Sequence, residues 1–125
     1  MYNRAHIGNF RTFLFSDLVK RYLRYRGYKV TWVMNFTDID DRTIAGSQKE
    51  GIPMREFTER YTKIFLEDRD LLGIEPAEVY PKATEHVPEM VELVKCLQAR
   101  NLAYEADGSH YFRVAAFPDY GKLAR

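Results

Sequence analysis

Apolar residues near the start of the chain recur at spacings of three and four, which predicts a helix over residues 7–26. The stripe expected to face a core comprises Phe10, Leu14, Leu18, Tyr22 and Tyr25. Gly27 then supplies a stop, and residues 28–34 alternate as a strand rich in β-branched and aromatic side chains. Helix, glycine and strand in this order predict the second half of a βαβ unit.

The remaining pattern predicts three more helices and a hairpin. A short helix ends near Glu50, a longer one begins near Pro53 and ends at Gly73, and the last covers residues 85–100. The faces expected to be buried are Phe57, Tyr61, Ile64, Phe65, Leu71 and Leu72 in the longer helix, and Val87, Val91, Val94 and Leu97 in the last. Residues 74–84, with two prolines, predict a connector, and residues 102–114 predict a β-hairpin around an Asp-Gly turn.

A parallel sheet built from such a unit needs a strand before the first helix. Only residues 1–5 precede that helix, which is too short a segment for a strand and its loop. We therefore expect the chain to begin inside an α/β domain. We also expect it to expose an unpaired sheet edge, through which copies of the chain could associate.

Composition excludes several classes of protein. The chain has 125 residues and a net charge of +1, so its overall charge gives no argument for nucleic-acid binding. The single cysteine, Cys96, excludes an internal disulfide and a cysteine-cluster metal site, and its apolar neighbours predict a buried, inert thiol. Nothing resembles a signal peptide, and no apolar run approaches the ~20 residues needed to cross a membrane, so we expect no membrane partner and a cytoplasmic setting.

Residues 6–9 (His-Ile-Gly-Asn) lie at the opening of the first helix, where backbone N–H groups and the helix dipole favour phosphate. Gly8 costs up to about 1 kcal/mol relative to alanine in a helix, and close approach of a ligand would explain it. His6 and Asn9 can both donate hydrogen bonds to phosphate. The alternative is that His6 is only a cap or packing residue.

Residues 35–41 (Asn-Phe-Thr-Asp-Ile-Asp-Asp) lie just past the carboxyl end of the predicted strand, where open α/β sheets bind ligands. Thr37 is closest to that end, and its hydroxyl could hydrogen-bond a small molecule. The acids predict capping of the next helix by Thr37 or Asp38, with a magnesium site as the alternative. Elsewhere, the two remaining histidines lack metal-ligand spacing, and the glycine patterns of dinucleotide and P-loop sites are absent.

Longer runs of the chain resemble cysteinyl-tRNA synthetase, a class I aminoacyl-tRNA synthetase. The resemblance covers essentially the whole chain and is carried by residues 2–9, 11–13, 17, 21–23, 27–28, 35–41, 81–86, 107–108 and 120–125. A motif of the H-I-G-H type alone marks only the superfamily. The N-x-T-D-I-D-D run that follows it is typical of the cysteine enzyme.

The resemblance implies a fold and a set of roles. It implies an α/β fold, with a partial Rossmann-type nucleotide-binding domain over residues 1–79 and the start of a connective region over residues 80–125. It implies ATP-dependent activation of cysteine to cysteinyl-adenylate, followed by transfer to tRNA(Cys). By position, His6 and Asn9 would be catalytic, Gly8 would join them in binding ATP, and Thr37 and Tyr2 would bind cysteine. Asn35 and Asp38 would not contact the ligand themselves but would hold the ligand-binding side chains in position.

The chain departs from the family pattern at several points. Asn9 stands where the usual motif has a second histidine. The family uses ATP with Mg²⁺ and a zinc ion, but its first zinc cysteine lies just upstream of Tyr2, and the other ligands and the K-M-S-K-S loop belong to a second half. We therefore expect no metal ligand here and no activity from this chain alone. The alternatives are the cysteine-adenylating ligase of mycothiol synthesis and a non-catalytic α/β module that binds adenosine nucleotides.

Overall fold

The computed structural model describes residues 2–124. The helices are α1 (Ile7–Tyr25), α2 (Asp41–Glu50), α3 (Met54–Leu71) and α4 (Val87–Ala99), and a hairpin of β1 (Ala103–Ala106) and β2 (Ser109–Phe112) follows them. The chain divides into two compact units, the first ending at Glu85 and the second beginning at His86. The predicted boundary near residue 80 concerns family domains rather than compactness, and it stays a prediction.

A short parallel pairing in the first unit joins residues 32–36, here called the extended segment, to residues 78–83. The Met34 N–H donates to the Val79 carbonyl at 3.0 Å, the Phe36 N–H donates to the Pro81 carbonyl at 2.9 Å, and the Ala83 N–H donates to the Phe36 carbonyl at 3.1 Å. Isolated parallel bridges rather than a continuous strand result, because Pro81 has no N–H to give to the Met34 carbonyl between these bonds. The strand predicted over residues 28–34 is thus reduced to bridges at Val33 and Phe36. Residues 74–84 do more than connect two helices, since they supply the partner of these bridges.

Aromatic rings form the core of the first unit. Phe10, Phe36, Phe65 and Ile74 are buried together. Phe65 stacks on Phe10 with ring centroids 5.6 Å apart and meets Phe36 edge-on at 5.9 Å. Phe10 lies in the first turn of α1, Phe36 at the end of the extended segment and Phe65 in α3. Their packing therefore fixes the start of α1 beside the end of that segment.

The buried face of α1 differs from the predicted stripe. Phe10 is buried, but Leu18, Tyr22 and Tyr25 are 63%, 54% and 86% exposed. Asp17 and Lys20 are buried instead: Asp17 accepts from the Glu75 N–H at 3.1 Å, and Lys20 donates to the Pro76 carbonyl at 2.8 Å. The stripe was predicted wrongly because this helix buries charged groups that have partners, which a hydrophobic pattern does not register.

Other expectations have mixed outcomes. The helix ends at Gly51 and Gly73 are confirmed, with φ of +67° and +68°, and so is the hairpin turn, where Asp107 and Gly108 both have positive φ. In contrast, Leu71 is 87% exposed and Leu72 is also exposed. In the second unit no described residue is buried, and Val87, Val91 and Cys96 are exposed. The expectation of a buried thiol was therefore wrong; α4 packs against β1, and this packing leaves Cys96 exposed.

No helix within residues 2–124 combines the length and the apolar character that crossing a bilayer requires.

Candidate active site

His6 forms the N-terminal cap of α1. Its Nδ1 accepts the Gly8 N–H at 3.1 Å, while its own backbone N–H donates to Asn9 Oδ1 at 3.1 Å. These two bonds satisfy N–H groups that a helix start otherwise leaves without partners. Because Nδ1 is an acceptor, we assign the proton of the neutral imidazole to Nε2. The capping bonds therefore use one acceptor on each side chain and leave N–H groups, at His6 Nε2 and Asn9 Nδ2, as the donors for a ligand.

Contacts within the chain explain why position 8 is a glycine. A Cβ at this position would be 3.0 Å from His6 Cε1 and 3.1 Å from His6 Nδ1. The imidazole thus lies directly over the Gly8 backbone. The expected ligand contact is not required to explain the glycine, and its role is to let the His6 ring reach its capping position.

Asn35 hydrogen-bonds the Thr37 hydroxyl, whereas Asp40 caps α2. Asn35 Nδ2 donates to Thr37 Oγ1 at 3.3 Å. Asp40, rather than Thr37 or Asp38, caps α2: its Oδ1 accepts the Thr43 N–H at 2.7 Å, and its own N–H donates to Thr43 Oγ1 at 2.8 Å. The backbone N–H of Thr43 is the main cause that lowers the pKa of Asp40.

Asp38 turns away from these groups and ties the segment end to residue 84. Its two carboxylate oxygens accept the Thr84 N–H at 3.0 Å and the Thr84 hydroxyl at 2.6 Å. Burial on its own would raise the pKa of Asp38, but the hydrogen bonds from Thr84 outweigh it and hold the pKa below its usual value. Asp38 lines a second groove beside α3 and not the cleft at the start of α1.

A cleft of about 460 Å³ lies between the start of α1 and residues 34–37, which is within the range of roughly 300–1,000 Å³ that is usual for small-molecule sites. Of the residues predicted from the sequence, Tyr2, His6, Asn9, Asn35 and Thr37 line it, while Gly8 does not. The lining also includes side chains of the aromatic core and its surroundings: Phe13, Met34, Phe36 and Phe65. The structure therefore brings the two motifs together across one cavity.

Sequence reasoning did not single out every residue of this wall. Asn3, Arg4 and Asp40 also line the cleft. Their signal was present, since all three belong to the runs that carry the family resemblance, but nothing in their spacing distinguished them from their neighbours. Arg4 adds a cation and Asp40 a carboxylate to a wall that already holds the donors of His6 and Asn9, so the cleft offers both charges and hydrogen-bond donors to a ligand.

The described residues do not fit a metal ion of the kind that the family resemblance implies. Within residues 2–124 no three side chains of His, Cys, Asp or Glu converge as a ligand set. Both carboxylate oxygens of Asp38 accept hydrogen bonds from Thr84, and Oδ1 of Asp40 accepts the Thr43 N–H.

Comparison with known proteins gives consistent matches over the whole chain. The family described as the tRNA synthetases class I (C) catalytic domain matches residues 1–125. A cysteine–tRNA ligase of Methanosarcina acetivorans is 52% identical over 125 residues, which is 100% of this chain and 26% of the relative. Proteins of the same name from Brachyspira hyodysenteriae and Pyrococcus furiosus are 48% and 43% identical over 124 residues, again 99% of this chain and 26% of each relative. The chain thus spans about a quarter of the length of the curated relatives it matches.

Proposed function

Because this chain belongs to the family of class I tRNA synthetase catalytic domains, we propose that it supplies part of the active site of a cysteine–tRNA ligase. Such an enzyme activates cysteine with ATP and then transfers the cysteinyl group to tRNA(Cys). The observation that carries the proposal is the single cleft lined by His6 and Asn9 on one side and by Thr37 on the other. The relatives' shared name favours this function over a mycothiol-synthesis ligase and over a non-catalytic nucleotide-binding module.

The proposed roles on the nucleotide side follow from the cap of α1. In adenylation a carboxylate oxygen of cysteine attacks the α-phosphorus of ATP, the bond to the bridging oxygen breaks, and pyrophosphate leaves. Negative charge builds on the α-phosphate oxygens in the transition state. The N–H donors at His6 Nε2 and Asn9 Nδ2, with the positive end of the α1 dipole behind them, would stabilise this charge. Gly8 would support ATP binding indirectly, by admitting the His6 ring.

The proposed roles on the amino-acid side belong to Thr37 and Tyr2. Thr37 follows the extended segment at the end where α/β sheets bind ligands, and Asn35 donates to its hydroxyl oxygen. Tyr2 contributes an aromatic wall. The parallel pairing of residues 32–36 with residues 78–83, on either side of α2 and α3, supports a partial Rossmann-type fold. That fold, a cytoplasmic setting and the use of ATP, with any Mg²⁺ carried by the nucleotide rather than by this chain, are part of the proposal.

The 125-residue chain on its own is expected to bind ligands without completing the reaction. It spans 26% of the length of each relative named above, so groups that complete catalysis in those proteins are not all matched here. Association of copies of the isolated chain through an unpaired sheet edge stays a prediction. We also propose a second surface for association, the apolar face that α1 presents to solvent.

Ligand titration of the chain, followed by NMR, tests the proposal. We expect ATP to bind and to perturb the backbone signals of Gly8 and Asn9. Asn9→Ala should weaken ATP binding about tenfold through loss of a charge-assisted hydrogen bond, whereas Asn9→His should retain it. Thr37→Val should weaken a sulfamoyl analogue of cysteinyl-adenylate more than ATP.

The control is Gln48→Ala on the exposed side of α2, which should change neither affinity. Urea unfolding of each variant separates loss of the helix cap from loss of a ligand contact. Failure of the unmodified chain to bind either ATP or the adenylate analogue at millimolar concentration would overturn the proposed function.

A further inference from the structure

Arg42, in the first turn of α2, contacts the side chain of Tyr2. Its guanidinium carbon lies 5.1 Å from the centroid of the Tyr2 ring, and its Nη1 donates to the phenolic oxygen. The arginine therefore contacts both the face and the hydroxyl of one side chain. A cation in the first turn of a helix is opposed by the helix dipole, so α2 itself gives no reason for an arginine at this position.

The turn that carries Arg42 is firmly held. Asp40 and Thr43 exchange capping bonds at 2.7 and 2.8 Å, and the Thr43 side chain is fully buried. One turn later, Gly46 lies against the ring of Phe57 in α3. Tyr2, by contrast, belongs to residues 2–6, which form neither helix nor strand. The contact thus fastens an irregular segment to a rigid turn.

Tyr2 lines the cleft, whereas Arg42 does not. Without the guanidinium, the ring would be free to leave the wall by rotation about its side-chain bonds, and a ligand would have to order it again on binding. We infer that Arg42 is a positioning residue that holds Tyr2 in place as a preformed wall of the amino-acid part of the cleft. This inference rests on the proposed function and adds to it a residue that acts only through Tyr2.

The chain contains a matched control for this pair. At the C-terminal end of α1, Arg26 Nη1 donates to the Tyr22 hydroxyl at 3.1 Å, and the guanidinium carbon of Arg26 lies 6.0 Å from the centroid of the Tyr22 ring. Neither residue lines the cleft. Arg26→Ala therefore removes the same chemical contact without touching the proposed wall.

The test is a set of titrations of the 125-residue chain with ATP and with the sulfamoyl analogue of cysteinyl-adenylate. Arg42→Ala should raise the dissociation constant of the analogue about three- to tenfold and that of ATP less than about twofold. Arg42→Lys should fall between the two, since it keeps the charge but loses the planar fork. Arg26→Ala should leave both constants unchanged.

A double-mutant cycle shows whether Arg42 acts through Tyr2. In a Tyr2→Ala background, Arg42→Ala should have no further effect on the analogue. An equal effect in both backgrounds, or no effect of Arg42→Ala in the unmodified chain, overturns the inference while ATP binding leaves the proposed function standing. Absence of ATP and analogue binding by the unmodified chain overturns the proposed function and this inference with it. If Arg42→Ala does not fold, Arg42→Lys and Tyr2→Phe provide the same comparison.

Discussion

Glu78 joins α1 to the extended segment through a single carboxylate. Its Oε1 lies 3.0 Å from Lys20 Nζ and 2.5 Å from Arg24 Nη2, and its Oε2 accepts the Trp32 N–H at 2.6 Å. The Trp32 N–H is the main cause, followed by Lys20, that lowers the pKa of Glu78 from 4.5 to about 2. The ionised form is therefore the one that the fold stabilises.

This shift predicts how stability depends on pH. A depressed pKa in the folded state adds stability that is fully present above the unfolded value and is lost as the pH falls through the folded value. We expect the free energy of unfolding, measured with urea, to fall between pH 4.5 and about 2. Glu78→Gln should make this decline shallower.

Part of the slope should remain in Glu78→Gln, because the pKa values of Asp38 and Asp40 are also lowered. Glu67→Gln is the control, since the cation paired with Glu67 is Lys63, 3.9 Å away on an exposed face of α3. Parallel pH profiles for the unmodified chain and Glu78→Gln would contradict the assigned role.

At the scale of elements, the packing of α2 on α3 depends on one glycine. A Cβ at Gly46 would lie 2.5 Å from Phe57 Cζ, and Phe57 is almost fully buried. Helix propensity alone would make Gly46→Ala stabilising by about 1 kcal/mol, whereas overpacking a well-packed site costs about 1–3 kcal/mol. The two contributions have opposite signs, so the measurement decides between them.

We expect Gly46→Ala to lower the free energy of unfolding by about 1–2 kcal/mol, because the Phe57 ring, which is only 2% exposed, must shift within a closely packed site. In a Phe57→Leu background the same substitution should cost less. Gln48→Ala, on the exposed side of the same helix, is the control. A more stable Gly46→Ala chain would mean that the helices separate easily.

Helix ends could be predicted from the sequence, whereas the sheet partner could not. Gly51, Gly73 and the Asp-Gly hairpin turn require positive φ, which is a local property of the backbone. The pairing of residues 32–36 with 78–83 is non-local, and Pro81 hid it because proline usually marks a loop. The face of α1 was mispredicted for a related reason, since Lys20 is buried by partners that lie more than fifty residues away.

At the scale of the whole molecule, the candidate cleft was predictable because two short motifs carry most of it. The spacing of the motifs indicated a helix start and a strand end, and the aromatic core brings these ends together. The contribution of α2 could not be predicted, since Arg42 reaches Tyr2 across forty positions. Such contacts depend on how the helix is rotated against its neighbours.

The exposed apolar face of α1 leads to a further expectation. Leu14, Leu18 and Tyr22 form a continuous exposed stripe, and such patches favour association. In sedimentation velocity, the sedimentation coefficient of the isolated chain should rise with concentration, and Leu18→Arg should reduce the rise. Leu71→Arg, at an exposed leucine of α3, is the control. A coefficient that does not change with concentration would contradict this expectation.

His6 performs two tasks at once, since its imidazole closes the first turn of α1 and also borders the cleft. A variant meant to lose nucleotide binding while keeping its fold should therefore retain the His6 ring. Asn9→Asp keeps an oxygen to accept the His6 N–H and suits the positive end of the helix, yet it exchanges an amide donor for a charge that repels nucleotide. A substitution at Asn9 is thus expected to remove nucleotide binding with less loss of helix stability than a substitution at His6.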